Sequence, residues 1–334
     1  MTDLRNTVIL GRCTMSARIV STGSYRPKRI VSNHDLSKVM DTSDEWIQTR
    51  TGIVTRHYED ESTLNMALHA SLKALEGIEL DTIDGIIVGT YTADNLIPSV
   101  AGALRYALGF KKEIFAFDVN AACSGYIFAL HTSYAYIKAG LAKRLLVVGV
   151  DYNTRILDFE DRTTSILFGD GAGATVIEAG EFGIIDSFIR NVSDVNDVLI
   201  APSSSDFNHP YRFKQRRNPY FQMEGREVFK FAVKALRDSV RSLCEANDVS
   251  LDEIDYVISH QANLRIIETA AKTLKMPIGK FLVNVDEVGN TSSGSVPLLL
   301  DESHRLGVLK PGMKVILVAF GGGLTYGASL IQWT

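Results

Sequence analysis

Apolar residues along this chain fall into two kinds of run. In "LDTIDGIIVG" (80–89), "EIFAFDV" (113–119), "RLLVVGVD" (144–151), "LDEIDYVISH" (251–260) and "KVILVAFG" (314–321) they follow one another with few polar interruptions. Such runs predict strands covered on both faces, as in a sheet sandwiched by helices. In "LNMALHASLKALEG" (64–77) and "REVFKFAVKALRDSVRSLCEAN" (226–247) apolar residues recur every three or four positions, which predicts amphipathic helices, the first closed by Gly77.

The order of these runs repeats. Leu-Asp-x-Ile-Asp followed by an apolar strand begins at Leu80 and again at Leu251, 171 residues later, and the runs from Arg144 and Lys314 are 170 apart. Between those markers each half has one more strand, "EIFAFDV" and "KFLVNVD", ending at Cys123 in one half and at Asn290 in the other. Helix and buried strand alternate three times in each half, a pattern that favours parallel sheets with helices on both faces. The chain therefore reads as an internally duplicated α/β protein. Its expected units are a lead of residues 1–14, a half of residues 15–180 and a half of residues 181–334, with "MSARIVSTGSY" from Met15 as the opening strand.

Composition narrows the class. The 334 residues are 46% hydrophobic and 22% charged with a net charge of −4, an ordinary enzyme-like balance that argues against a general nucleic-acid binder. Three cysteines, Cys13, Cys123 and Cys244, form no CxxC pair and no even framework, so a reducing cytoplasm and no disulfide are expected. No window approaches the ~18 apolar residues of a membrane span, and the N-terminus lacks a secretory pattern.

Ligands of open α/β sheets sit beyond the carboxyl ends of strands, and three chemically able residues occupy such places. Cys123, in "DVNAACSG", follows a strand and opens a helix, where unpaired N–H groups and the helix dipole favour a thiolate and can hold an oxyanion. Its neighbours Ala121, Ala122, Ser124 and Gly125 are small, which leaves room for a substrate. His260 ends a buried strand in "SHQANLRII", and Asn290 lies in the turn "VGNTSSGSVP". Alone, His260 would read as a core imidazole and Asn290 as a turn former; together with a thiol they suit thioester chemistry. Cys244, among Val240 and Leu243 of a helix, reads as a buried filler.

Several motifs in series carry a resemblance: "TGSYRPKRIVSN", "DTSDEWIQTRTGI", "DVNAACSG", "FGDGAGA", "HQANLRI", "GNTSSGSVP" and "AFGGGLTYG". From Met15 to Thr334 the chain resembles the β-ketoacyl-acyl-carrier-protein synthase III enzymes of the thiolase superfamily. The resemblance implies a duplicated five-layered α-β-α-β-α fold, a homodimer, no tightly bound cofactor and no metal. It implies Cys123, His260 and Asn290 as catalytic residues, and the backbone N–H groups of Cys123 and Gly322 as an oxyanion hole. Acyl-CoA and malonyl-acyl carrier protein would be the substrates, condensed with loss of CO2. Trp46 and Arg162 would sandwich the CoA adenine, with Thr42, Arg50, Phe229 and Asn263 also on the CoA path. Lys230, Arg265 and Lys272 would receive the carrier protein, and Ile97 would enter the acyl pocket of a partner subunit.

Other readings are weaker. "FGDGAGAT" is followed by the strand "TVIEAG" where a dinucleotide fingerprint needs a helix. No GxSxG or HExxH occurs among the motifs, which disfavours an α/β-hydrolase and a metallopeptidase. The aromatic and basic run "HPYRFKQRRNPYF" admits a nucleic-acid or acyl-thioester binding protein on the same scaffold, and the loop of residues 201–227, with Glu224 and Arg226, departs from the usual family pattern. With Gly294 in place of a more usual alanine, these departures keep open a sister condensing enzyme of secondary metabolism, a quinolone or polyketide starter synthase.

Overall fold

The computed structural model describes residues 16–194, 196–201 and 218–334. The N-terminal lead with Cys13, the expected strand start at Met15, and residues 202–217 of the basic segment lie outside them.

Two five-stranded sheets form the frame. The first contains β1 (Ser16–Tyr25), β4 (Gly85–Gly89), β5 (Phe115–Val119), β6 (Arg144–Asp151) and β7 (Gly171–Gly180), in the spatial order β1-β7-β6-β4-β5. The second contains β8 (Ile184–Asn191), β11 (Tyr256–Ser259), β12 (Phe281–Leu282), β13 (Lys314–Gly321) and β14 (Thr325–Gln332), in the order β12-β11-β13-β14-β8. Read in opposite directions, the two orders are the same, strand for strand. Two small hairpins, β2 (Arg29–Ser32) with β3 (Thr55–Tyr58) and β9 (Leu199–Ile200) with β10 (Gln222–Met223), lie outside the sheets.

The expectation of parallel sheets needs correction. β4, β5 and β6 are parallel, as are β11, β12 and β13, but β7 and β14 turn back antiparallel and are followed in the sheet by antiparallel β1 and β8. The turn Gly322–Leu324 between β13 and β14 is too short for a parallel crossover, so only an antiparallel partner can follow.

The nine helices among the described residues are α1 (Asn33–Leu36), α2 (Asp44–Thr51), α3 (Thr63–Ala74), α4 (Val100–Ala107), α5 (Gly125–Lys138), α6 (Gly225–Ala246), α7 (Leu264–Leu274), α8 (Val285–Val288) and α9 (Ser295–Arg305). Strand alternation decides how they layer. In β6, Leu145 and Val147 face a core shared with α5 and α9, while Leu146 and Val148 face a core shared with α3 and α4. In β13, Val315 and Leu317 meet that same central helical layer, while Ile316 and Val318 meet α6 and α7. Continuous apolar strands with a period of two thus bury both faces of both sheets. The result is the five-layered α-β-α-β-α arrangement, with α5 and α9 in the middle. No described helix is long and apolar enough to cross a membrane.

A second correction concerns the approach to Asn290. β12 is only two residues long; Asn284, Asp286 and Glu287 interrupt the apolar pattern, and the chain winds into α8 before reaching Gly289 at φ +67°. Asn290 is held instead by a lone parallel bridge to Phe168. Its N–H donates to Leu167 O at 2.9 Å and its carbonyl accepts from Gly169 N at 3.0 Å.

Candidate active site

The two central helices begin at the same place in the duplicated fold, and both are entered through a turn built alike. At residues 120–125 the chain reads Asn-Ala-Ala-Cys-Ser-Gly, and 170 residues later Asn-Thr-Ser-Ser-Gly-Ser. In each, the asparagine Oδ1 accepts from the backbone two residues on, Ala122 N at 3.3 Å and Ser292 N at 2.9 Å. Ala122 and Ser292 both have positive φ, 45° and 52°, and each opens a single 3-10 turn. The two turns lock together: Ser293, the counterpart of Cys123, donates from Oγ to Ala122 O at 2.8 Å. Gly294 has no room for a side chain, since a Cβ would lie 2.4 Å from Gly171 O.

Because the turns interlock, Cys123, His260 and Asn290 line one cavity, with walls that include Phe168, Leu199, Phe221 and Phe320. Each polar group is oriented by a neighbour. Asn290 Oδ1 is taken by Ser292 N, which leaves its Nδ2 as the end that can donate into the cavity. His260 Nδ1 lies 2.7 Å from Ser295 Oγ, so Nε2 is the ring nitrogen left for the cavity. The ring is further held edge-on to Phe320, 5.2 Å between centroids.

Electrostatics differ from the sequence expectation at one point. The Cys123 thiol is not held low by the start of the helix: burial pushes its pKa up to about 12. The Ser292 hydroxyl draws it down and the buried Asp151 carboxylate raises it further. A desolvated thiolate in an apolar pocket beside a carboxylate costs more than one helix terminus returns. Burial also lowers His260, to about 3, so the imidazole is neutral near pH 7. Asp151 is itself raised by burial and serves as a hub, accepting from Tyr91 N, Ser293 N and the Thr90 and Thr92 hydroxyls.

Gly321 and Gly322 cross the mouth of the Cys123 turn. A Cβ on Gly321 would sit 2.8 Å from Cys123 N, so only glycine lets this strand end lie against the Cys123 backbone. Gly321 lines the cavity; Gly322, the residue expected there, does not, and a Cβ on it would point towards Ala122 and the cavity residue Leu199.

A wider outer pocket adjoins the cavity, sharing Leu167, Met223, Gly225, Phe229 and Asn263 with it, and Trp46, Arg50, Arg226, Lys230 and Arg265 are among its other walls. In α2, capped by Ser43, Trp46 and Arg50 fall one turn apart and so on one face, with the guanidinium 4.3 Å from the indole centroid. Arg162, tied to Asp41, lies 5.1 Å from the same centroid, closer than a base stacked between the two would allow. Asn263 caps α7: its Oδ1 accepts from Arg265 N and its Nδ2 donates to Arg50 O, which leaves one N–H for a ligand. Lys272 stands two turns along α7 from Arg265, and Thr42 has a buried hydroxyl without a partner among the described residues; neither lines the two pockets. Ile97 is 87% exposed and also lies outside both. Ser292, Ser295, Asp151 and Phe320 escaped sequence reasoning, because serines beside glycine read as turn formers and the other two as strand residues.

Comparison with known proteins fits this geometry. Family models for 3-oxoacyl-[acyl-carrier-protein] synthase III and for its C-terminal part match residues 117–193 and 244–333. The chain is 45% identical to the β-ketoacyl-[acyl-carrier-protein] synthase III of Clostridium acetobutylicum, over 96% of this chain and 99% of that one. The crystal structure of 3-oxoacyl-[acyl-carrier-protein] synthase III from Aquifex aeolicus superposes with a TM-score of 0.88 at 38% identity, covering 95% of this chain and all of the other. A priming β-ketosynthase from the R1128 polyketide pathway has the same TM-score, 0.88, at 32% identity, with 95% and 96% covered. A duplicated five-layered fold that closes a thiol, an imidazole and a carboxamide into one cavity, and a match of this extent, place the chain in the β-ketoacyl-acyl-carrier-protein synthase III family.

Proposed function

We propose that this chain condenses a short acyl-CoA, acetyl-CoA first among them, with malonyl-acyl carrier protein to give a 3-ketoacyl-carrier protein, the step that initiates type II fatty-acid synthesis. The observation that carries the reading is the convergence of Cys123, His260 and Asn290 on one apolar cavity, with Nε2 and Nδ2 as the ends left for a substrate.

In the first half-reaction Cys123 attacks the acyl-CoA carbonyl. Its raised pKa means the thiol must lose its proton as the bond forms, and neutral His260 is the acceptor at hand. The N–H groups of Cys123 and Gly322 hold the carbonyl oxygen while it is negative. CoA then leaves as the thiol, taking that proton, and the acyl group stays on sulfur. In the second half-reaction the malonyl thioester loses CO2, and the electron pair passes into an enolate whose oxygen receives hydrogen bonds from His260 and Asn290. The enolate carbon attacks the acyl carbonyl, and the cysteine thiolate departs, taking one proton from solvent to return to the thiol. Nothing in these steps calls for a metal or a tightly bound cofactor.

The outer pocket supports a phosphate-rich visitor. Trp46, Arg162 and Thr42 would take the adenine end of CoA, with Arg162 swinging away from the indole to admit the base. Arg50, Phe229 and Asn263 would line the pantetheine path, and Lys230, Arg265 and Lys272 would meet the acidic carrier protein. The exposed edge of β5, with half-exposed Phe115, Phe117 and Val119, supports a homodimer that brings Ile97 to the partner's cavity. Free Cys123 and Cys244 and a CoA-thioester substrate support a cytoplasmic setting.

Intact-mass measurement after mixing with acetyl-CoA should show one acetyl group on Cys123, discharged by malonyl-acyl carrier protein. Cys123→Ala should abolish both, while His260→Ala and Asn290→Ala should spare labelling more than decarboxylation. Condensation by Cys123→Ala at the parent rate would refute the scheme.

A further inference from the structure

His260 is asked for two different things in the proposed cycle: an acceptor nitrogen when Cys123 gives up its proton, and a donor N–H when the enolate forms. Only Nε2 faces the cavity, so the two duties need two tautomers, with the ring proton on Nδ1 for the first and on Nε2 for the second. Which one exists is set by what Nδ1 meets, and Nδ1 meets the hydroxyl of Ser295, 2.7 Å away and fully buried.

That hydroxyl has one proton and two acceptors in reach. Ser295 Oγ is 2.8 Å from Ser292 O, placed to donate to it, and then offers a lone pair to Nδ1–H. Turned the other way, it donates to Nδ1 and leaves Nε2 carrying the proton. The second orientation orphans nothing: Ser292 O still accepts from the Ser295 backbone N–H at the end of its 3-10 turn, and Ser295 Oγ still accepts from Gln261 N at 3.4 Å. Both rotor positions are therefore satisfied in a site where an unpaired polar atom would be costly. Among the described residues, Ser295 is the hydrogen-bond partner of Nδ1.

We propose that Ser295 is a positioning residue for His260, its hydroxyl rotating to stabilise the Nδ1–H tautomer for acyl transfer to Cys123 and the Nε2–H tautomer for decarboxylation. The proposal rests on the condensing-enzyme reading above. Proton count is unchanged by it: before and after each half-reaction the ring is neutral, and exchange between tautomers takes one proton from solvent at Nε2 and returns the Nδ1 proton to solvent.

The test uses the full chain, its Ser295→Ala variant, which removes one oxygen from a buried site, and Ser295→Thr, which keeps the hydroxyl. In chain labelled with 15N-histidine, the His260 ring shifts should report an Nε2–H population in the parent that falls in S295A. Decarboxylation of malonyl-acyl carrier protein by acetylated S295A should drop about 10-fold to 100-fold, the range for loss of a partner that orients a functional imidazole, with the acetyl label on Cys123 reaching the same end point and Tm within a few degrees of the parent. S295T should restore the ring shifts if it folds. Identical ring shifts in parent and S295A, or decarboxylation by S295A within twofold of the parent, would overturn the role of Ser295. The ring shifts answer that question whether or not the chain turns over; failure of the parent to acetylate Cys123 would instead overturn the function on which it rests.

Discussion

At the scale of single residues, Cys123, His260 and Asn290 line one cavity, and the state of the Cys123 thiol is set by what surrounds it there. Cys123, His260 and Asn290 stood out because a thiol, an imidazole and an amide recur where equivalent segments of a duplicated chain end. The direction of the Cys123 pKa did not, since it depends on the apolar walls from Phe168 and Phe320 and on Asp151, all distant in sequence. This difference is measurable. A thiol held low by a helix dipole reacts with iodoacetamide at a rate that levels off once it is ionised, near or below neutrality. With the thiol pushed up to about 12, the thiolate fraction at Cys123 should instead climb about tenfold for each pH unit from 7 to 10. Peptide mapping of the alkylated chain separates Cys123 from Cys244. A plateau in the Cys123 rate below pH 8 would show that the helix terminus outweighs burial after all.

At the scale of elements, helices were legible where apolar residues recur every three or four positions, as in α3 and α6, and strands wherever apolar runs were unbroken. β12 was not, because "KFLVNVD" alternates polar and apolar residues in a way that fits either a strand or a strand leading into a turn of helix. The mixed direction of the sheets was hidden too: a run of apolar residues shows that a strand is buried, not which way it points. α7 illustrates what an element adds to its residues. Arg265 and Lys272 are seven positions apart, two helical turns, so they lie on one face about 10 Å apart. Arg265 borders the outer pocket; Lys272 stands beyond it. Lys272→Glu should therefore raise KM for malonyl-acyl carrier protein about tenfold, increasingly so at low salt, while acetylation of Cys123 by acetyl-CoA stays at the parent rate. Arg265→Glu should weaken both substrates. Steady-state kinetics against each substrate at two ionic strengths separates these outcomes, and equal effects of Lys272→Glu on CoA and carrier protein would remove it from the docking face.

At the scale of the whole molecule, the duplication was written in the sequence as an offset of 170 to 171 residues, and it fixes where the site lies: between the two interlocked turns that start the central helices. What no single chain writes down is how its open edge is closed. β5 ends its sheet with five residues that are all only half-buried, and Leu96, Ile97 and Tyr106 beside it are 84%, 87% and 87% exposed. An apolar, unpaired edge strand flanked by three such side chains is a template for association and is normally covered. A second copy of the chain is the cover proposed here, and it carries a consequence for chemistry, because Ile97 would then wall the partner's cavity and limit the starter chain. Sedimentation should give twice the chain mass for the parent and one chain for Leu96→Glu combined with Tyr106→Glu, both changes being at exposed positions that leave the core intact. Ile97→Ala should stay dimeric and shift the acyl-CoA preference towards longer chains, read by mass shift on Cys123. If the double variant remains dimeric, the edge of β5 is not the contact; if Ile97→Ala keeps the parent's chain-length profile, the partner's side chain does not reach the acyl group.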